Sequence, residues 1–447
     1  MRLRRFACVL AVLSWLACAP AAAFAQASAD EQAAWAKADR LLAEARTRQG
    51  LLAQYTFMRD ADARDRSDTF RRAFGQYLSW YQSFVGDYPA ALASFPIAQR
   101  ALPDDSPSPL DAPGLSARPA LEAIPQLARD RRIVLFNEAH HVPLTRSLTV
   151  QLLGRLREEG FDYFAAETLD ARDAGLATRR YPVHASGFYT EEPVYAEMVR
   201  TALKLGYKVV AYEAGANTPS GEPREAAQAR NLYARVFAHD PQARLVVNAG
   251  YSHILKSGRH LGGRSMAEYL QQFSGLPMLA VEQTMLIPHA AAGDDHPIYT
   301  AVMRRLQPKA PVVFVDAQDR PWSLRPGYDV SVFFPPSERV QGRPTWLRLG
   351  GLRRPYDVNG RVCRRRFPCL VEARYGDEGA DAIPADRLVL ERPSAGLYRY
   401  SVPLYTGAQA TPSGQLYLRP GKYRLTATAE DGSVVSATEI VVPGPGK

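Results

Sequence analysis

Several residues of this chain have the types and spacing that hydrolytic or metal chemistry needs. Asn137-Glu138-Ala139-His140-His141 puts a carboxylate and two imidazoles within five residues. Further along stand Glu167, Glu213, Asn248-Ala249-Gly250-Tyr251-Ser252-His253, Glu282 and Asp316, each just after an apolar run. Arg224, Gln228 and Asn231 fall at i, i+4 and i+7, one face of a helix. An imidazole oriented by a carboxylate takes a proton from water near neutral pH. An arginine beside it stabilises the oxyanion that forms on an attacked carbonyl. Two or three imidazoles with a carboxylate also bind a divalent ion that acidifies its own water.

These groups need a scaffold that brings them to one edge. Apolar runs at Arg132–Phe136, Tyr163–Ala166, Lys208–Tyr212, Arg244–Val247, Met278–Val281 and Val312–Val315 alternate with amphipathic stretches at Thr145–Glu159, Glu192–Leu205, Arg224–Ala238 and Ser265–Phe273. Strands apolar on both faces, alternating with helices, define the α/β class with a parallel sheet flanked by helices. An antiparallel α+β domain is the alternative. In a parallel sheet ligands bind outside the carboxyl ends of the strands, where the titratable residues fall. A carboxylate after a strand is, taken singly, as often a helix cap. The expectation rests on the set: Glu138, His140, His141, Glu167, Arg224 and His253 as catalytic residues, Glu213, Gln228, Asn231 and Glu282 as substrate-binding residues, and His140, His141 and His253 as ligands if a divalent metal is used. His184, His239, His260, His289 and His296 lie in predicted loops or helix ends and are expected to be mostly solvated. Gly262-Gly263 reads as a turn, since no Lys-Ser/Thr follows to make a phosphate loop.

The strand-end Glu-x-His-His, the Ala-x-Glu strand end, the helix start Arg-Glu-x-x-Gln-Ala-x-Asn and the Gly-x-x-His resemble the erythromycin-esterase-like proteins, the ChaN-like lipoproteins and the TIKI/TraB-type proteins of one broad superfamily. The likeness spans roughly Arg132 to Val315. It implies an esterase-like site in which Gly-Glu-x-x-His maps onto Glu138 and His141; the ChaN-like spacing selects His140 instead. Arg-Asp-x-x-Met-Ala-x-Asn maps onto Arg224, Glu225, Gln228, Ala229 and Asn231, the second-strand acid onto Glu167 and the later His onto His253. Asn137 replaces a Gly, Glu225 an Asp and Gln228 a Met, so macrolide specificity does not transfer. The ChaN-like relatives imply haem or iron binding as the alternative function, with haem less favoured than a divalent metal; a non-catalytic envelope scaffold is a third reading.

The remainder of the 447 residues frames this unit. Arg2, Arg4 and Arg5, the apolar run Phe6–Ala19 and Ala23-Phe24-Ala25 predict a signal peptide over residues 1–25. The apolar run falls short of the ~20 residues of a membrane span. The expected location is periplasmic or extracellular, with lipidation at Cys18 the less favoured variant. Residues 26–100 read as a helical region with an aromatic packing stripe (Tyr77, Trp80, Tyr81, Phe84), and 101–128 as a Pro-rich linker. The α/β unit covers 129–320, and a β-sandwich covers 325–447. Cys363 and Cys369, the two cysteines outside the signal segment, predict a local disulfide. The net charge of +9 falls to +6 without the three leader arginines, with no basic stripe or recognition motif, which argues against a nucleic-acid partner. A small-molecule or peptide substrate is expected; the substrate's identity and the oligomeric state are not written in the sequence.

Overall fold

The computed structural model describes residues 28–392 and 412–444; the predicted signal peptide lies outside them. Six strands form one parallel sheet: β1 (Ile133–Glu138), β2 (Tyr163–Ala166), β3 (Lys208–Val210), β4 (Leu245–Gly250), β5 (Met278–Glu282) and β6 (Val330–Ser331), in the order β3-β2-β4-β1-β5-β6. Every residue of β1, β2, β4 and β5 is buried. Alternate side chains of β1 serve two cores. Val134 and Phe136 pack with Leu148, Leu152 and Met198 on one face, and Ile133 and Leu135 with Ala229, Leu232 and Leu270 on the other. The uninterrupted apolar runs therefore reflect helices on both faces.

Those helices are the crossovers. Leu144–Glu158 joins β1 to β2, Pro193–Lys204 joins β2 to β3, Glu222–Leu232 joins β3 to β4, and Met266–Ser274 joins β4 to β5. All strand carboxyl ends thus open on the same edge.

Two expectations are corrected here. Val312–Val315 is not a strand of the parallel sheet. It pairs antiparallel with Ser116–Pro119, inside the presumed linker, and the sixth place goes to Val330–Ser331, beyond residue 320. Asp316 accordingly leaves the strand-end rim and closes a turn with Arg320. Periodicity identifies a buried strand but not its partner.

Before the sheet, helices Ala29–Arg46, Leu51–Arg64 and Asp68–Phe84 bury Tyr77, Trp80, Tyr81 and Phe84 in their own core. After it come two antiparallel sheets sharing one core. One has four strands, in the order Asp386–Leu390, Cys369–Tyr375, Gly421–Ala429, Val434–Val442; the other pairs Arg354–Asn359 with Ser413–Leu418. The strands flanking Pro420-Gly421 thus enter different sheets rather than forming a hairpin. Cys363 and Cys369 stand at disulfide distance, Cα–Cα 5.9 Å. No helix among the described residues is long and apolar enough to cross a membrane.

Candidate active site

At the carboxyl end of β1, Glu138 is fully buried and bonded on both oxygens. Arg146 donates to Oε2 from Nε and to Oε1 from Nη2, each at 2.7 Å, and Asn248 donates to Oε2 at 2.7 Å. Arg146 also donates to Glu192 at 3.0 Å. Glu192 in turn caps the helix Pro193–Lys204 and accepts from Tyr88. Burial alone would raise the Glu138 carboxyl; the Arg146 guanidinium and the hydrogen bonds hold it down at about 2. This fixed carboxylate lies 3.0 Å from His140 Nδ1. The carboxylate accepts, so Nδ1 carries the proton and Nε2 is left as a base.

His140 Nε2 lies 4.0 Å from Glu167 Oε2, the acid that follows β2. Two oxygen- or nitrogen-type acceptors at that separation are within reach of one shared water about 2.8 Å from each. Tyr189 stacks on the His140 ring at 4.2 Å and Tyr251 meets it edge-on at 5.1 Å, which fixes the ring plane. Glu167 Oε2 accepts from the Gly250 amide, and Oε1 accepts from Arg224 Nη2 at 3.0 Å and lies 3.4 Å from His253 Nε2. Burial opposes a charge on Glu167, but His253 and Arg224 hold its carboxyl well below the usual range.

The opposite wall repeats the pattern. His253 Nδ1 lies 2.7 Å from Glu225 Oε2, so a second imidazole is oriented by a second buried carboxylate, its Nε2 also toward Glu167. Burial would lower the His253 pKa, but Glu225 and Glu167 lift it to about 10. Arg224 Nη1 sits 3.1 Å from Nε2, a contact that only a neutral ring could accept. The direction we stand behind is upward, since two carboxylates flank the ring. Arg224 Nη2 donates to Glu167 and to Glu213, which Gln228 also engages at 2.9 Å.

Gly250 explains how the two walls approach. A Cβ built on it would meet His140 Cε1 at 2.3 Å, His140 Nε2 at 2.5 Å and Glu167 Oε2 at 2.9 Å. Two residues that leave the sheet here adopt left-handed backbone, Thr168 (φ 65°) and Tyr251 (φ 43°). Strain of this kind concentrates where side chains are being aimed.

The structure thus brings together Glu138, His140, Glu167, Glu213, Arg224, Gln228 and His253. Three expected residues stand apart. His141 turns away, to the Tyr251 hydroxyl (3.3 Å) and a separate cavity of about 200 Å³ lined also by His289 and Trp346. Burial and the neighbouring His140 lower its pKa to about 3. Asn231 clamps the backbone carbonyls of Tyr212 and Glu213. Glu282 binds Thr284, Met285 and Asn137 on the far side of β1, and burial raises its carboxyl.

The expected metal triad is also corrected. Among the described residues, the group of three ligand-type side chains within 4.8 Å is Glu225, His253 and His260, without His140 or His141. Nor are the loop histidines solvated as a set: His260 and His296 are buried, and the side chain of the half-buried His289 is only 3% exposed. Arg146, Glu192 and Tyr189 also build the site without having been legible as site residues. An arginine and an acid at helix starts facing the β1 rim were signals available for the first two.

The sequence matches no protein-family model and no curated protein. Solved structures that are similar in part include the type III effector HopBA1 (16% identity, 40% of this chain and 94% of that one, TM-score 0.28). Another is RRSP, a MARTX toxin effector domain from Vibrio vulnificus (15% identity, 51% of each chain, TM-score 0.26). A third, described under bacterial protein toxins, has 14% identity over 56% of this chain and 65% of that one, with a TM-score of 0.27. Likeness at this level leaves the chemistry to be argued from the site itself.

Proposed function

We propose that this protein is an exported hydrolase related to the erythromycin-esterase-like and ChaN-like superfamily, attacking an ester, lactone or amide carbonyl with activated water. The observation that carries this reading is the pair of carboxylate-oriented imidazoles, Glu138–His140 and Glu225–His253, facing each other across Glu167. His140 Nε2 takes a proton from water seated against Glu167 Oε2. The hydroxide adds to the carbonyl, and the charge that develops on its oxygen is met by Arg224 and by the Nε2–H of His253. The tetrahedral adduct collapses with expulsion of the alkoxide or amine, which takes the proton from His140. His140 is preferred to His141 because the latter is aimed elsewhere and held neutral. The low exposure of His140 and His253, 9% for each side chain, favours a substrate that inserts one slender acyl group.

A panel of esters and lactones, with the wild type and His140→Ala and His253→Ala variants of confirmed fold, tests the proposal. Turnover by the wild type, lost by about 10²–10⁴-fold in His140→Ala, is expected for removal of a general base. Unchanged turnover in either variant would sink the assignment of that residue. Recovery of the mature chain in the periplasm or medium, beginning near Gln26, tests export.

A further inference from the structure

Behind the hydrolytic face, His260 Nε2 and Glu225 Oε1 are ligand atoms that hydrolysis does not use. His260, seven residues beyond His253, is held by a tight turn: its amide donates to the Gly263 carbonyl at 2.8 Å, and its carbonyl accepts from the Gly263 amide at 3.0 Å. Its side chain is 6% exposed, yet Nε2 has no hydrogen-bond partner among the described residues. Glu225 Oε1 is fully buried and also without a hydrogen-bond partner, and the two atoms lie 3.8 Å apart. A buried polar atom left unbonded costs about 1–3 kcal/mol, and here two face one another. His253 closes the third side, its ring 4.8 Å from that of His260 and its Nδ1 2.7 Å from the other oxygen of Glu225.

Charge points the same way. Glu167, Glu213 and Glu225 surround one guanidinium, that of Arg224, at 3.0, 3.3 and 3.8 Å. With His253 as the neutral ring that a metal ligand must be, three carboxylates against one arginine leave two negative charges in a nearly dry pocket, which a single dication would cancel. We propose that Glu225, His253 and His260 bind a divalent transition metal of the zinc or ferrous class, through Glu225 Oε1, His260 Nε2 and a ring nitrogen of His253. Ligand atoms about 2.0–2.2 Å from such an ion sit roughly 3.4 Å from each other in a tetrahedron, so the observed 3.8 Å closes with a small movement. Two imidazoles and one carboxylate suit these ions better than magnesium or calcium, which prefer all-oxygen sites. His253 would present its remaining N–H toward Glu167, the carboxylate–histidine–metal arrangement that fixes a ligand's tautomer. The role for His253 in hydrolysis is compatible with this but not required by it.

The test is titration of tag-free, chelator-stripped full-length mature protein with Zn²⁺ and, separately, Co²⁺. Calorimetry, melting temperature and the visible absorption of bound Co²⁺ are the readouts. One equivalent bound at micromolar affinity or tighter, a raised melting temperature, and at least 100-fold weaker binding in both Glu225→Gln and His260→Ala are expected. Absence of stoichiometric binding by the wild type overturns the proposal, as does undiminished binding in either variant. Should either variant fail to fold, the conservative His260→Gln takes its place in the same titrations, with the same weakening expected and undiminished binding again overturning the proposal. Because none of these readouts is turnover, a protein that binds metal but hydrolyses nothing would refute the hydrolase reading alone.

Discussion

Gly250→Ala isolates the geometry of the site from its chemistry. Gly250 has φ −71° and ψ 141°, backbone that alanine adopts without penalty. The effect must therefore come from the added methyl, which would stand 2.3 Å from His140 Cε1 and 2.9 Å from Glu167 Oε2. Reaching an ordinary carbon contact of about 3.5 Å requires His140 to retreat by roughly 1 Å. The ring has little room, since Tyr189 lies against its face and Glu138 holds its Nδ1. Overpacking of this kind costs about 1–3 kcal/mol of stability. A displacement of ~1 Å in a catalytic group costs about 10²-fold in rate. Turnover and urea unfolding of the same preparation are the assays, with Gly154→Ala as control. Gly154 lies inside the helix Leu144–Glu158 with nothing within 4 Å of its added Cβ. That control should gain about 0.5–1 kcal/mol and keep full activity. If Gly250→Ala keeps wild-type kcat, the Glu138–His140 wall is not where water is activated.

Two further perturbations address the groups behind the rim. Arg146→Met leaves Glu138 and Glu192 as uncompensated buried charges and should cost about 3–5 kcal/mol in denaturant unfolding, and a loss under 1 kcal/mol would contradict the role assigned to Arg146. His141, facing His140, His289 and Arg146, has its pKa lowered from 6.5 to about 3 in the fold. Below about pH 6.5 the unfolded chain binds a proton that the folded chain refuses, so His141's effect is absent above that pH and destabilises progressively down to pH 3, by up to a few kcal/mol. Unfolding at stepped pH should show a shallower acid slope in His141→Gln, and parallel slopes would exclude His141 as a source.

The parallel sheet was legible because its strands are apolar on both faces, and the four crossover helices fall within a few residues of their amphipathic stretches. Pairing was less legible. Val312–Val315 carries the same pattern as the sheet strands but pairs with Ser116–Pro119, because burial against a short antiparallel partner imprints the same run of Val and Phe. The two residues of β6 were too short to leave any periodicity. In the C-terminal region Pro420-Gly421 is a turn signal in the sequence, but nothing local tells that its flanking strands enter different sheets, a choice made by partners far along the chain.

At the site, the legible residues are those whose role depends on being at a strand end, such as Glu138, Glu167 and His253. Position alone did not tell direction. His140 and His141 are adjacent, but the Glu138 carboxylate captures only one of them, and that carboxylate is aimed by Arg146, six residues beyond His140 on the next helix. Nor did position tell closure. Tyr189 stacks on His140 and touches Phe188, which lies against Trp80 and Phe84 of the N-terminal helices. The aromatic stripe read from the sequence as a packing face therefore also backs the wall of the site. The N-terminal helical region thus sets how tightly the imidazole is held, and Trp80→Ala should loosen Tyr189 and slow turnover without touching any charged residue of the cluster.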